Sequence, residues 1–154
     1  MQIRIICEGK TKDEHLRALQ ADYAARIRHF AGLKMEEIRS RAGAGKGKKD
    51  QMTPAERRLL KKTPGSRKVV LDERGQDWTS TELARWMSAN ALRGTRELAF
   101  LVGGPAGFSQ AFRDQADMVL ALSRMTLTRD WARTLLLEQI YRSFTIERGY
   151  PYPR

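Results

Sequence analysis

The segment Glu97-Leu98-Ala99-Phe100-Leu101-Val102-Gly103-Gly104-Pro105-Ala106-Gly107 decides the fold. Its first six residues form an apolar run without polar alternation, which is typical of a central parallel strand covered on both faces. A glycine-rich loop, 103–107, follows at once. In parallel α/β sheets ligands bind beyond the carboxyl ends of the strands, where glycines let the backbone approach them closely. The loop is therefore a candidate binding site, and a tight turn that needs positive φ is the alternative.

The rest of the chain alternates between strand-like and helix-like patterns. Strands are predicted at residues 2–7, 33–40, 67–72, 97–102 and 118–122. Helices are predicted at residues 12–29, 54–63, 80–94, 109–115 and 130–147. This alternation predicts an α/β fold, with a mostly parallel sheet flanked by helices. The length of 154 residues predicts a single domain, 1–154.

Two details of the helices can also be predicted. Thr11 and Glu14 have the spacing of a capping box at the start of the first helix. Leu92 and Trp131 fall on the apolar sides of the helices at 80–94 and 130–147, so both are expected to face inward.

The positive charge is concentrated in one stretch. The chain holds 29 Lys and Arg against 18 Asp and Glu, a formal net charge of +11. Residues 38–68 contain eleven of these cations and two of the acids, so +9 of the charge lies there. We predict a basic loop and a short helix at about 39–63, with Lys46, Lys48 and Lys49 contacting RNA phosphates. A solvated loop and helix face is the other interpretation.

The composition also excludes several classes of protein. A hydrophobic share of 41% excludes a wholly disordered basic tail. The only cysteine is Cys7 and the only histidines are His15 and His29, which excludes an intramolecular disulfide and a Cys/His zinc cluster. No segment approaches the roughly 20 apolar residues of a membrane helix, and no signal peptide is visible. The sequence predicts a soluble cytoplasmic protein without a metal site or a membrane partner.

Two further segments could contact a ligand. Residues 122–128 mix hydroxyl and apolar side chains after a predicted strand, and could wrap an adenine ring or form a buried connection. Residues 148–154 carry tyrosines and arginines between prolines, and could stack on bases and contact phosphates. A frayed terminus is the alternative for this tail. Arg142 lies within reach of it on the last helix, where an ordinary surface arginine is also possible.

Four motifs occur in order along the chain: Gly-Gly-Pro-x-Gly at 103–107, Leu-Ser-x-x-Thr-Leu at 122–127, Glu-x-x-Tyr-Arg at 138–142 and Pro-Tyr-x-Arg at 151–154. Together they resemble the RlmH family, the small SPOUT-class methyltransferases of the bacterial ribosome. The resemblance covers essentially the whole chain. It implies a trefoil-knotted α/β fold, a homodimer and S-adenosylmethionine as methyl donor. It also implies methylation of N3 of a pseudouridine in 23S rRNA on the assembled ribosome.

The resemblance assigns roles to individual residues as well. The donor would be held by Leu71, Gly103, Gly104, Ser123, Arg124, Met125, Thr126, Leu127 and Thr128. The catalytic side chains facing the target base would be Tyr152, Arg154 and Arg142, across the dimer interface.

One position departs from the family pattern. Family members end in Pro-Tyr-His-Arg, whereas this chain has Pro153 in place of the histidine. If that histidine were an obligatory base, the protein would be a weak or inactive methyltransferase that still binds the ribosome. Our interpretation is instead that Arg154 and Arg142 stabilise the imide anion while water or phosphate takes the proton. A SPOUT enzyme for a different RNA is a third hypothesis, which the small size disfavours.

Overall fold

The computed structural model describes residues 1–39 and 51–152. Its strands are β1 (Gln2–Glu8), β2 (Leu33–Ile38), β3 (Arg67–Asp77), β4 (Glu97–Val102) and β5 (Met118–Ala121). Its helices are α1 (Glu14–Arg28), α2 (Pro54–Lys62), α3 (Ser80–Leu92), α4 (Gln110–Arg113) and α5 (Arg129–Glu147). The α/β prediction is confirmed. The basic loop with Lys46, Lys48 and Lys49, together with Pro153 and Arg154, lies outside the described residues.

The strands form a parallel sheet, whose order within the described residues is β2-β1-β4-β3-β5. The quoted segment supplies β4 at its centre, where Leu101 pairs with Ile6 of β1 on one side and with Val70 of β3 on the other. Because all pairings are parallel, the carboxyl ends of β3, β4 and β5 lie at the same edge of the sheet.

Both faces of the sheet are covered, which explains why β4 shows no polar alternation. On one face, Phe100 is fully buried in a cluster with residues from α1, α3 and α5. On the other face, Leu101 packs in a smaller cluster with Leu59 of α2 and Phe112 of α4. Residues 98–102 are each at most 3% exposed, as expected for a central parallel strand.

The predicted capping box of the first helix is wrong. The N-cap of α1 is Asp13, whose side chain accepts a hydrogen bond from the Leu16 amide at 2.9 Å. Thr11 is buried instead, and its hydroxyl donates to Gln20 Oε1 at 3.2 Å. Aspartate is a better N-cap than threonine, and the buried hydrogen bond of Thr11 to Gln20 also takes it away from the helix start.

Two residues predicted to face inward do not. Leu92 is 86% exposed because it is the last residue of α3, beyond the part of the helix that packs on the sheet. Trp131 is 48% exposed in the first turn of α5, next to the carboxyl edge of the sheet. Both residues lie at helix ends, where the spacing of apolar residues along the helix no longer predicts which side chains are buried.

Candidate functional site

A cavity of about 430 Å³ opens at the carboxyl ends of β3, β4 and β5. Its wall is built from residues 71–74 of β3, residues 102–107 after β4, and Leu120, Leu122, Ser123, Met125, Thr126, Leu127, Thr128, Arg129 and Ala132 from β5 to the start of α5. The sequence-predicted residues that line it are Leu71, Gly103, Gly104, Ser123, Met125, Thr126, Leu127 and Thr128. Arg124 lies in the same loop but does not line the cavity. The volume is within the range of cavities that hold nucleoside-sized ligands.

The glycine loop is a tight turn and also a wall of this cavity. A Cβ atom at Gly103 would lie 3.1 Å from the Phe108 ring, and one at Gly104 would lie 3.0 Å from the Glu8 carboxyl carbon. The amide of Gly104 donates to Glu8 Oε2 at 3.1 Å. Gly107 has φ +67° and its amide donates to the Gly104 carbonyl at 3.0 Å, which closes the turn. The first two glycines therefore permit close packing, and the third permits the turn itself.

β3 continues to Asp77, five residues beyond the predicted strand 67–72, and its middle part contributes charged groups that the sequence analysis missed. A bulge lies between Leu71 and Gln76, which both pair with Leu120 of β5, and Asp72 comes directly after Leu71. Asp72 binds Arg113 at 3.0 Å and Arg74 at 3.0 Å. Burial raises the pKa of the Asp72 carboxyl, but the hydrogen bonds from Arg74 and the charge of Arg113 outweigh it and lower the pKa overall. Its position as the last residue of the predicted strand 67–72 was the signal that could have identified it.

Glu73 connects two walls of the cavity. Its Oε2 accepts a hydrogen bond from the Thr126 hydroxyl at 2.8 Å, which ties the end of β3 to the loop 122–128. Within that loop, the Ser123 hydroxyl accepts from the Met125 amide at 2.9 Å. Thr128 is the N-cap of α5, so the loop ends in a fixed helix start.

Arg129 is a further cavity residue that the sequence analysis missed. Its guanidinium donates to the carbonyls of Glu8 at 2.9 Å and Lys10 at 3.0 Å, and to Asp130 Oδ1 at 3.0 Å. Gly9 has φ +86°, and a Cβ there would collide with the Arg129 guanidinium. Arg129 therefore fastens the segment after β1 to the first turn of α5.

The tail lies away from the cavity. Tyr152 packs edge-on against Tyr141 with ring centroids 4.9 Å apart, and the Arg142 guanidinium lies 4.5 Å from the Tyr152 ring centroid. Arg142 also forms an ion pair with Glu138 at 2.6 Å. Tyr141 comes twelve residues after Arg129, about 18 Å along α5. Within one chain the structure therefore brings Tyr152 and Arg142 together, but not next to the predicted donor-binding residues.

Two ionisable groups are held in their protonated form. Burial raises the pKa of Tyr152 well above that of an ordinary tyrosine, and a hydrogen bond with the Tyr23 hydroxyl at 3.0 Å raises it further. Burial raises the pKa of the Cys7 thiol to about 12. Neither group is a base or a nucleophile at neutral pH in this arrangement.

Residues 1–39 and 51–152 contain no group of three His, Cys, Asp or Glu side chains that could hold a metal ion. In the same part of the chain, no helix is both long enough and apolar enough to cross a membrane.

Comparison with known proteins identifies relatives over nearly the entire length. A family model described as "Predicted SPOUT methyltransferase" matches residues 1–153. A protein from a Geobacter species, named ribosomal RNA large subunit methyltransferase H, is 46% identical over 99% of this chain and 98% of its own length. A relative of the same name from Geotalea uraniireducens is 44% identical over 99% of both chains.

Solved structures show the same fold at low sequence identity. A tRNA methyltransferase from Aquifex aeolicus superposes with a TM-score of 0.53 and 14% identity, over 100% of this chain and 77% of that one. A protein from Neisseria gonorrhoeae, described as a methylase family member, superposes with a TM-score of 0.56 and 12% identity, over 99% of this chain and 85% of that one.

Proposed function

The chain belongs to the SPOUT methyltransferase family, and we propose that it is an rRNA methyltransferase which modifies N3 of a pseudouridine in 23S rRNA on the assembled ribosome. The observation that carries the proposal is the cavity at the carboxyl ends of β3, β4 and β5, where the glycine loop and the loop 122–128 meet. The relatives' name supports a ribosomal RNA substrate. We propose that the chain acts as one domain in the cytoplasm, where ribosomes are found.

The cavity suits S-adenosylmethionine, the methyl donor of SPOUT enzymes. Leu71, Leu122 and Leu127 offer apolar surface for an adenine ring. Gly103 and Gly104 line the cavity with backbone atoms alone, because they carry no side chain. When bound, the donor supplies an electrophilic methyl group, so the residues around it need mainly to align the attacking nitrogen. We assign donor binding to Leu71, Gly103, Gly104, Ser123, Arg124, Met125, Thr126, Leu127 and Thr128.

The catalytic side chains come from a second copy of the chain in this proposal. Tyr141, which contacts Tyr152, comes nine residues after Ala132, the last cavity residue of α5, about 14 Å along the helix. Neither Tyr152 nor Arg142 lines the cavity of its own chain. Met125 is 77% exposed and Trp131 is 48% exposed beside the cavity, and a homodimer would cover these apolar side chains. We therefore propose that Tyr152, Arg142 and Arg154 of one copy face the base that enters the cavity of the other.

The chemistry required of these residues is limited. The N3 imide of pseudouridine must lose a proton before or during attack on the methyl group. The guanidinium groups of Arg142 and Arg154 would stabilise the resulting anion, and water or phosphate would accept the proton. Lys46, Lys48 and Lys49 would contribute to docking on RNA through phosphate contacts.

One experiment tests this proposal and separates it from the alternatives. Purified protein is incubated with methyl-labelled S-adenosylmethionine and intact ribosomes, free subunits or naked rRNA in parallel, and the labelled nucleoside is identified by mass spectrometry. We expect N3-methylpseudouridine on intact ribosomes alone. Label in another nucleoside or in tRNA would instead support a SPOUT enzyme for a different RNA. Ribosome binding without any transfer would support an inactive binding protein, which the relatives' names do not favour.

A further inference from the structure

Glu56 is a buried carboxylate that joins two helices. It lies in the first turn of α2 and is 4% exposed. Its carboxylate accepts from the Thr53 amide at 2.6 Å, which belongs to the capping box of α2. It also accepts from the Ser109 amide at 2.6 Å and from the Ser109 hydroxyl at 2.9 Å. Hydrogen bonds to an ionised group in a buried site are strong, so α2 and Ser109 are held as one unit.

Ser109 stands directly behind the glycine loop. It is the N-cap of α4 and follows Phe108, whose ring lies 3.1 Å from the position of a Cβ at Gly103. The Phe108 carbonyl accepts from Arg113 at 2.6 Å, and Arg113 binds Asp72 on the opposite side of the cavity. The base of the glycine loop is thus fixed from two sides, by Glu56 and by Arg113.

The opposite face of α2 is basic and open to RNA. Arg57, Arg58 and Lys61 are exposed, whereas Leu59 is 2% exposed and packs in the cluster that contains Phe108. A phosphate bound on the exposed face therefore acts on a helix whose buried face touches the support of the glycine loop.

We propose that Glu56 is a positioning residue that couples the basic helix α2 to the glycine loop, so that RNA bound on α2 and S-adenosylmethionine in the cavity strengthen each other's binding. This inference rests on the proposed function. Because Glu56 holds α2 and Ser109 as one unit, a ligand that fixes the position of α2 also fixes the position of Ser109 and of the glycine loop in front of it. The coupling is reciprocal because it is a free energy shared by the two binding sites.

The chain contains a matched control for Glu56. Glu82 occupies the same position in the capping box of α3, where it accepts from the Thr79 amide at 2.7 Å, but its side chain is exposed. Glu56→Gln and Glu82→Gln make the same change at the cap, where the remaining side-chain oxygen can still accept from the N-cap amide. Only Glu56→Gln also places an NH2 group, which cannot accept, against the Ser109 donors. Ser109→Ala removes one of the bonds to Glu56 from the other partner.

The measurements are the dissociation constant of S-adenosylmethionine by calorimetry, with and without ribosomes, and the stability of each variant by urea unfolding. We expect ribosomes to tighten donor binding at least fivefold in the wild type, within the usual range of coupling between sites. We expect Glu56→Gln to weaken donor binding about tenfold and to reduce the ribosome effect below twofold. Ser109→Ala should shift both quantities in the same direction, and Glu82→Gln should change neither.

Each outcome decides the proposal. If the wild type binds the donor and Glu56→Gln binds it equally tightly with the full ribosome effect, the coupling is refuted and the proposed function stands. If Glu56→Gln and Glu82→Gln weaken donor binding equally, the coupling is refuted as well, because a change at the helix cap would then account for the whole loss of donor affinity. If the wild type binds no donor, both the proposed function and the coupling are refuted. If Glu56→Gln does not fold, Ser109→Ala decides on the same criteria.

Discussion

Gly103→Ala tests whether the glycine loop positions a donor. The added methyl group would lie 3.1 Å from one carbon of the Phe108 ring and 3.3 Å from two others. Phe108 is 5% exposed and stacks on Phe112 at 4.6 Å, so the ring has little room to withdraw. Overpacking of this kind costs about 1–3 kcal/mol, and alanine recovers about 0.4–1 kcal/mol by restricting the unfolded chain. We expect a net loss of about 1–2 kcal/mol in the free energy of unfolding.

The control for this variant is Gly94→Ala. Gly94 follows α3 with φ +78°, and no atom lies within 4 Å of the added Cβ. Forcing alanine into the left-handed region costs about 1–2 kcal/mol, which matches the stability loss at Gly103 without touching the cavity.

Urea unfolding and calorimetric titration with S-adenosylmethionine should then separate the two variants. We expect donor binding to weaken about tenfold in Gly103→Ala, equivalent to about 1.4 kcal/mol, and to stay unchanged in Gly94→Ala. Unchanged donor binding in a folded, destabilised Gly103→Ala would refute the assignment of this loop to the donor. An equal loss in Gly94→Ala would show that affinity follows stability alone.

Four further expectations concern the cavity, the basic loop and the tail. Arg129→Met removes three hydrogen bonds of a partly buried cation, and urea unfolding should show a loss of about 2 kcal/mol in the free energy of unfolding. The control Arg17→Met changes an exposed side chain and should cause almost no loss. The pKa of Asp72 in the folded state lies below its unfolded value of about 3.9. Asp72 therefore stabilises the fold fully above about pH 4, and this stabilisation is lost as the pH falls through the folded-state pKa. In urea unfolding as a function of pH, Asp72→Asn should make the free energy of unfolding decline less steeply below about pH 4. Replacing Lys46, Lys48 and Lys49 by Ala should reduce the slope of log K for ribosome binding against log salt concentration by about two to three, with donor binding unchanged. An unchanged slope would contradict the proposed phosphate contacts of the basic loop. Pro153→His should alter the methylation rate less than about tenfold, whereas a gain of about 10³ would show that a histidine base is missing.

The sheet was predictable because its strands carry strong local signals. The unbroken apolar run 97–102 predicted a central strand covered on both faces, and β4 is that strand. The glycine loop, Leu71 and the loop 122–128 were expected at strand ends, and parallel pairing brings strand ends together whatever the strand order. The order β2-β1-β4-β3-β5 itself could not be predicted, because it depends on contacts between residues far apart in sequence.

Apart from Leu92 and Trp131, which lie at helix ends, the errors arise from side-chain contacts that helix patterns do not report. Thr11 does not cap the first helix, because its hydroxyl donates a buried hydrogen bond to Gln20. Arg113 and Arg129 were overlooked because an arginine in a helix pattern usually marks a solvated face, whereas these two donate to Phe108, Glu8 and Lys10 carbonyls. The Phe108 carbonyl is local to Arg113, but those of Glu8 and Lys10 lie 121 and 119 residues from Arg129, so no sequence pattern could predict the Arg129 contacts.

The carboxylates around the cavity limit which group could accept the proton in the proposed reaction. Asp72 is paired with two arginines, which lower its pKa and make it a weak base. Glu73 accepts from the Thr126 hydroxyl, and Glu8 accepts from the Gly104 amide, so both are engaged in holding the cavity walls. Tyr152 stays protonated because its pKa is raised. Stabilisation of the imide anion by guanidinium groups, with water or phosphate as proton acceptor, fits these constraints better than a carboxylate base at the cavity wall, and it does not require a histidine at position 153.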